Sequence, residues 1–478
     1  MTNNSTWTRR GRTSVGPLAL GLLLLTGAPL PAQTGTAPEE GIQSRPSRVT
    51  LFRNAHIVVN AEQELTEADL LIRDDKISDI AASIEAPVDA QIIDCQGKFL
   101  YPALIDPLVE QSLPSAERPD DHWNSHIQPH RQAHATLPTD DKLASQYRRA
   151  GFGTILIAPS DGILKGTSAV VTTARAPVAK TVLRSQAFQH LALVLGRQDR
   201  AGYPNSPMGV VALTRQTLSD AQWYQQAQQA FRADPSLPTP DKNVALDALG
   251  ALVRGEQAVI IDSGNELYAL RGDRMAREFN LRAIIRGSGR EYRRLDSLAS
   301  LSRTFIVPVD FPKPPEVGSI ESASSVALQS LMHWYLAPEN PGRLEAANMQ
   351  FVLTASGLSN PNEILDNVRK AIARGLSEKR ALDALTLRTA KLLEVDHLVG
   401  SLERGKLANL LLASGPLWEK KSKLEETWVQ GERYRWQERS ELDASGRWKI
   451  ELSGSEGLPT ELELALENMT EKPKGRRA

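Results

Sequence analysis

The sequence has a single cysteine and no excess of either charge. One thiol cannot form an internal disulfide, and Cys95 ends a β-rich run (residues 91–95), which favours a buried structural thiol over a nucleophile. Lys and Arg number 56 against 57 Asp and Glu, a formal net charge of -1. This balance gives no reason to expect nucleic acid or an anionic membrane surface as a partner.

Several motifs are also missing. No GxGxxG or GxxxxGK[ST] follows a predicted strand, which weakens a nucleotide-binding interpretation, and no GxSxG supports serine hydrolase chemistry. The apolar run Leu18–Leu25 is far shorter than the roughly 20 residues that span a bilayer. We therefore expect no integral membrane segment once the N-terminus has been processed.

The first 33 residues are typical of a signal peptide, which predicts a periplasmic or secreted bacterial protein. Arg9, Arg10 and Arg12 precede the apolar run, and a plausible cleavage site follows at Ala32. The arginine pair resembles a twin-arginine signal, but polar residues follow it, so ordinary secretion is favoured. A lipoprotein would need a cysteine just after the apolar run, and the sequence has none there. Residues 34–47, rich in Pro, Gly, Ser and Glu, are predicted to be a linker.

The mature chain divides by its hydrophobic pattern. Residues 48–101 and 400–440 carry short β-rich runs, which predict one small β-sandwich built from both ends of the chain. Residues 102–399 alternate buried-strand runs with helical segments, which favours a (β/α)₈ TIM barrel over a Rossmann sheet. The apolar runs are Gly153–Ala158, Leu191–Leu195, Ala258–Asp262, Arg282–Arg286, Thr304–Val309 and Gln350–Thr354. Helices are predicted at Glu266–Phe279, Asn362–Ala373 and Ser377–Leu393.

Residues 441–478 form a predicted C-terminal extension. Runs at 446–452 and 461–466 alternate apolar and polar residues around a Gly-rich turn, which predicts a β-hairpin. Two strands alone are marginally stable in water, so the hairpin needs something to pack against. We expect the basic tail 471–478 to be disordered.

Three segments in the expected order resemble the amidohydrolase superfamily, in particular its imidazolonepropionase-like metal-dependent hydrolases. They are Pro102–Glu110 (PALIDPLVE), Gly400–Asn409 (GSLERGKLAN) and Gln430-Gly431. The resemblance implies the barrel and sandwich fold. It also implies an active site in which histidines and carboxylates at strand ends hold Zn²⁺ or another divalent metal, and an aspartate after strand 8 moves the proton.

The positions that match this metal site have lost its residue types. The two histidines of strand 1 correspond to Leu108 and Glu110, and the ligand of strand 5 corresponds to Asp262. Arg286 stands for the histidine of strand 6, and Ala355 or Ser356 for the aspartate of strand 8. With the nearby Asp106, we predict a degenerate site that contains no catalytic residue, no metal and no cofactor: Asp106, Leu108, Glu110, Asp262, Arg286 and Ser356.

Three other groups of residues each have two interpretations. His122, His126, His130 and His134 recur every four residues and could hold a metal on a helix face, but Pro129 interrupts the run, so a covering loop is favoured. Ser160–Gly166 could form a loop on the catalytic face of the barrel or a simple turn. Asp106 and Asp262 could act as an acid/base pair, but a buried salt-bridge network with Arg286 is favoured.

Further segments resemble the degenerate half of secreted bacterial tandem amidohydrolases: Val307–Pro312, His333-Trp334, Leu336–Pro341 and Glu426–Gly431. This resemblance implies a non-catalytic partner of an active C–N bond hydrolase. Because the sequence ends at Ala478, we expect the active paralogue to be a separate polypeptide, with a homo-oligomer as the alternative. Two other functions stay open: an active hydrolase of C–N bonds with an altered metal site, and a periplasmic ligand-binding module.

Overall fold

The computed structural model describes residues 48–114, 122–138, 140–195, 202–436, 446–451 and 461–466. The predicted signal peptide, the linker and the tail after residue 466 lie outside these residues. Within the described ranges, no helix is long and apolar enough to cross a membrane.

Short strands and helices alternate along most of the described chain. The strands are β1 (Val49–Val58), β2 (Glu64–Arg73), β3 (Lys76–Ala81), β4 (Gln91–Asp94), β5 (Phe99–Pro102), β6 (Leu104–Gln111), β7 (Phe152–Pro159), β8 (Leu164–Thr167), β9 (Ala169–Thr172), β10 (Val182–Arg184), β11 (Phe188–Ala192), β12 (Ala258–Asp262), β13 (Ala283–Arg286), β14 (Thr304–Pro308), β15 (Gln350–Thr354), β16 (Leu410–Ala413), β17 (Leu424–Val429), β18 (Glu432–Arg435), β19 (Gly446–Glu451) and β20 (Glu461–Leu466). The helices are α1 (Lys142–Arg149), α2 (Val178–Thr181), α3 (Pro207–Ala233), α4 (Val244–Ala248), α5 (Gly250–Val253), α6 (Glu266–Glu278), α7 (Leu295–Ala299), α8 (Ile320–Ser325), α9 (Leu328–Leu336), α10 (Asn340–Ala346), α11 (Ile364–Ile372), α12 (Glu378–Leu385) and α13 (Leu387–Leu392).

The two ends of the chain build one sheet, as the sequence predicts. Its strand order is β18-β17-β16-β5-β1-β2-β3, with β4 beside β1. Antiparallel pairing of β5 with β16 joins the two ends, with Tyr101 opposite Leu411. The rings of Phe52 on β1 and Trp428 on β17 lie 5.1 Å apart. Three strand spacings would separate these strands by roughly 14 Å in a flat sheet, so the sheet folds over into two layers.

The barrel strands follow in order around a second, larger core. β6 lies parallel to β7, and β11 to β15 form a parallel series. Between them, β9 runs antiparallel to β7 and β8 runs antiparallel to β11, so residues 164–172 act as one antiparallel strand in the third barrel position. Alternate side chains point into a common interior cluster: Ile105, Leu156, Val170, Ile260, Ile284, Ile306 and Val352. The predicted α/β barrel class is confirmed, with this antiparallel member added.

The predicted helices are present with one interruption. Glu266–Phe279 and Asn362–Ala373 contain α6 and α11. The single helix predicted over Ser377–Leu393 is two helices, α12 and α13, which break at Thr386. Gly400 passes the break so closely that a Cβ there would lie 2.6 Å from Ala390 and 3.1 Å from the Leu387 Cα. Only glycine therefore fits at position 400, where the chain passes α13 with a positive φ of +96°.

Cys95 and the C-terminal hairpin match their predictions. Cys95 is buried just after β4, and burial raises the pKa of its thiol to about 12, so it stays protonated and suits a structural role. β19 and β20 pair antiparallel from Gly446 opposite Leu466 to Glu451 opposite Glu461. The two predicted strands therefore pair, and the predicted turn between them lies outside the described residues.

We expect Gly431→Ala to destabilise the two-layer sheet far more than Gly97→Ala. Both glycines have positive φ, +74° and +73°, so both alanines carry about 1–2 kcal/mol of backbone strain. A Cβ at Gly431 would lie 1.9 Å from the Asp74 carbonyl oxygen, whereas nothing lies within 4 Å of one at Gly97. Urea unfolding of both variants measures the difference. Equal losses of stability would contradict the close contact between the turns at residues 74 and 431.

Candidate functional site

The degenerate positions lie at the carboxyl-end face of the barrel, where barrel enzymes place their active sites. Asp262 and Arg286 are the last residues of β12 and β13, and the parallel ladder sets them directly side by side. Glu110 lies near the end of β6, and Ser356 follows β15 by two residues. Four of the six predicted site residues therefore come together at one end of the strands.

Arg286 is the centre of this group. Its Nη1 atom lies 2.9 Å from Glu110 Oε2 and 2.9 Å from Asp262 Oδ2. Its Nη2 atom donates a hydrogen bond to Ser356 Oγ at 3.2 Å. The backbone is fixed as well, since Ser263 Oγ donates to the Arg286 carbonyl oxygen at 2.6 Å. One guanidinium thus holds the ends of three barrel strands and the loop after β15.

Lys165 belongs to the same group, although the sequence did not predict it as a site residue. Its Nζ atom lies 3.4 Å from Glu110 Oε1 and 3.7 Å from Asp262 Oδ2, and its side chain is only 6% exposed. The segment Ser160–Gly166 was interpreted as a loop or turn, but its last residues begin β8. Because β8 runs antiparallel, its first residues lie at the carboxyl-end face. Two cations and two carboxylates make this ion network (Glu110, Lys165, Asp262, Arg286) neutral overall.

His190 is a second residue that sequence reasoning missed. The apolar run predicted a strand at Leu191–Leu195, whereas β11 spans Phe188–Ala192 and carries the polar pair Gln189-His190 inside it. Burial, with Lys165 and Arg286 nearby, holds the pKa of His190 well below its usual range. The imidazole is therefore neutral, and its Nε2 atom makes no hydrogen bond to any described residue.

Asp106 and Leu108 lie deeper in the barrel than the ion network. Asp106 Oδ1 accepts hydrogen bonds from Leu108 N at 3.0 Å and Thr354 Oγ1 at 2.6 Å, and Oδ2 accepts from Ala355 N at 3.1 Å. These bonds join β6 to β15, while Asp262 is engaged with Arg286. The structure therefore does not form the alternative acid/base pair of the two aspartates. Leu108 packs into the interior apolar cluster.

The residues present do not fit the divalent metal of the family. Zn²⁺ needs three or four ligating side chains at about 2.0–2.3 Å, and the space between the Glu110 and Asp262 carboxylates is taken by the Arg286 guanidinium. Leu108 offers no ligand atom. Across the described ranges, no three His, Cys, Asp or Glu side chains are grouped so as to hold a metal.

The four regularly spaced histidines lie on a covering segment and not on an α-helix. Residues 123–126 and 129–130 form bends and turns, and within residues 122–138 only Ala133–Thr136 is helical, as a short 3₁₀ turn. Ile127 and Gln132 form bridges to Leu164 and Thr167, so the segment lies along β8. The favoured interpretation of a covering loop therefore agrees with the structure.

Comparison with known proteins confirms the resemblance. Residues 344–436, which contain two of the three motifs, match the model described as the amidohydrolase family. An amidohydrolase from Thermotoga maritima MSB8 aligns over 81% of this chain and 100% of its own, with 20% identity and a TM-score of 0.67. No curated protein matches the sequence significantly. The chain therefore has the fold of the amidohydrolases.

Two further solved structures match with lower TM-scores. A protein from Bifidobacterium longum described as a prolidase aligns over 82% of this chain and 95% of its own, with 16% identity and a TM-score of 0.48. A Xaa-Pro dipeptidase with bound methionine aligns over 81% of this chain and 100% of its own, with 13% identity and a TM-score of 0.47.

We expect Asp106→Asn to cost more stability at pH 4 than at pH 7. Burial raises the pKa of Asp106 to about 6, even though three hydrogen bonds favour the carboxylate. Because the folded-state pKa is above the unfolded value near 3.8, the folded protein binds the proton more tightly. Protonation of Asp106 therefore contributes about 3 kcal/mol to the free energy of unfolding below about pH 4. This contribution is lost as the pH rises from 4 to 6.

Asparagine cannot gain this proton, so the stability difference between wild type and variant should shrink as the pH rises. Urea unfolding of both proteins at the two pH values measures it. A difference that is the same at pH 4 and pH 7 would contradict the raised pKa.

Proposed function

We propose that this chain is a non-catalytic amidohydrolase homologue that acts as the structural or regulatory partner of an active C–N bond hydrolase. The observation that carries the proposal is the position of Arg286, whose Nη1 atom is 2.9 Å from both Glu110 and Asp262. Two carboxylates that could have served a metal are instead paired with Arg286 and with Lys165, two side chains of the protein itself.

The charge of the site supports the same conclusion. Amidohydrolase chemistry uses a cation that polarises the substrate and lowers the pKa of bound water. Here the four charged groups sum to zero, so the barrel centre does not concentrate divalent ions. An arginine keeps its proton at every physiological pH and cannot activate water as a general base. Ser356 stands where the family's proton-transferring aspartate is expected, and its hydroxyl accepts a hydrogen bond from Arg286.

We expect the purified protein to bind less than stoichiometric Zn²⁺, Mn²⁺ or Fe²⁺ and to hydrolyse none of three probes: a dipeptide, an N-acyl amino acid and a cyclic imide. An active amidohydrolase purified in parallel is the positive control for metal analysis and turnover. Stoichiometric metal that is lost together with hydrolytic activity on chelation would sink the proposal.

A repaired variant shows whether Arg286 is the obstacle. Leu108→His, Glu110→His and Ser356→Asp restore three family residue types but leave the guanidinium in place. Adding Arg286→His to this triple variant should raise Zn²⁺ affinity by about tenfold or more, because a positive charge is replaced by a neutral ligand. Adding Arg294→His, an exposed arginine, is the matched control. If the triple variant, with Arg286 still present, binds metal tightly and hydrolyses substrate rapidly, Arg286 is not the obstacle and the remaining site is intact.

The partner we propose is an active amidohydrolase that keeps its histidines. It would be in the compartment to which the signal peptide predicted over residues 1–33 exports this chain. No group of metal-ligating side chains is present among the described residues of the barrel, and the hairpin β19-β20 pairs only with itself among the described strands. A two-stranded sheet needs a surface to pack on, and another subunit can provide one. A homodimer is the alternative use of the same surface.

We expect the full-length chain to co-elute with such a homologue on size exclusion, and a chain ending at Ser440 to lose most of that association. Co-expression with an active homologue encoded in the same genome is the test, and the truncated chain must keep its thermal unfolding midpoint. If both versions elute alone, and the homologue is fully active without them, the partner proposal is wrong.

A further inference from the structure

A cavity of about 380 Å³ lies between the loops that follow β13 and β14 and helix α9. Because both loops leave the carboxyl ends of barrel strands, the cavity lies on the functional face of the barrel. Its volume falls at the lower end of the roughly 300–1,000 Å³ range of ligand pockets. The polar side chains that line it are Arg290, Arg293, Lys313, Gln329, Ser330 and His333.

The lining carries an excess of positive charge. Arg293 Nη1 lies 3.7 Å from Glu266 Oε1. Arg290 and Lys313 form no ion pair with any other described residue, although Arg290 is half-buried. Cations gathered in a partly desolvated cavity repel one another unless an anion is present. The cavity therefore has the charge of an anion site.

The loop that carries the two arginines is held rigidly. The buried Glu291 carboxylate accepts hydrogen bonds from Ser288 N at 2.6 Å and Gly289 N at 3.2 Å through Oε1. Its Oε2 atom accepts from Asn340 Nδ2 at 2.6 Å. Gly287 is required beside it, since a Cβ there would lie 2.7 Å from Glu291 Oε1. Such fixed backbone lowers the entropic cost of binding a ligand on Arg290 and Arg293.

Helix α9 lies at the rim of the cavity and has no buried residue. Gln329, Ser330 and His333 line the cavity. Leu328, Met332 and Tyr335, on the opposite face, are 72%, 50% and 52% exposed. A surface helix ordinarily has the reverse arrangement. The helix therefore presents polar rather than apolar groups to the cavity, which suits a polar ligand.

We propose that this cavity binds a small molecule through a carboxylate or phosphate group, with Arg290, Arg293 and Lys313 as the anion-binding residues. Guanidinium groups form paired, charge-assisted hydrogen bonds with both kinds of anion. The neutral His333 fits this arrangement, because burial with Arg290 and Arg293 lowers its pKa to about 4, and an anion would offset both arginines. His333 Nδ1 is also 3.1 Å from the Tyr292 hydroxyl, which fixes the ring.

The test is isothermal titration of the full chain at low salt with inorganic phosphate and with N-acetylglycine. Binding of either probe should saturate at one per chain, and the probe that binds identifies the kind of anion. Arg290→Gln and Arg293→Gln should each weaken binding about tenfold or more. Arg404→Gln, an exposed arginine elsewhere on the chain, removes the same charge and should leave binding unchanged. Lys313→Gln, at the exposed rim, replaces either variant that fails to fold.

The NMR titration of His333 provides a second readout, since its pKa should rise when the anion is bound. The proposal is overturned if neither probe saturates at millimolar concentration. It is also overturned if the cavity variants bind as tightly as wild type and Arg404→Gln.

Discussion

The carboxyl-end face of this barrel depends on one guanidinium. Arg286 lies between Glu110 and Asp262 at 2.9 Å from each, and its other nitrogen reaches Ser356. Carboxylates from β6 and β12 would repel each other without a cation between them. A metal site of the kind that the resemblance implies takes its cation from solution, whereas here the cation is a side chain of the protein. The barrel mouth thus keeps its charge balance without depending on metal supply.

Much of the fold could be predicted because its signals are local and ordered. The motifs Pro102–Glu110 and Gly400–Asn409 identify the barrel entry and exit, and the buried strands appear as continuous apolar runs. Arg286, Glu110 and Asp262 could be placed together because parallel strands bring their carboxyl ends to one face. The resemblance to the amidohydrolases identified which residue of each strand corresponds to a metal-ligand position.

Lys165 and His190 could not be found by the same reasoning. A parallel strand has its last residues at the carboxyl-end face of the barrel. Because β8 is antiparallel, its first residues, including Lys165, lie at that face. His190 interrupts the apolar pattern of β11, which shifted the predicted strand three residues toward the C-terminus. The helix break at Thr386 has no proline or glycine beside it in the sequence, so the pattern of residues 377–393 predicts one continuous helix.

The pairing of β5 with β16 has a consequence for how the chain matures. Pro102 must pair with Leu410, about three hundred residues later in synthesis. Until that segment leaves the ribosome, β5 presents an open edge, which is a site for mispairing with other chains. Contacts this distant also close slowly, because loop entropy must be overcome first. The sheet can therefore close only after every barrel strand has been made, since β15 ends at Thr354 and β16 begins at Leu410.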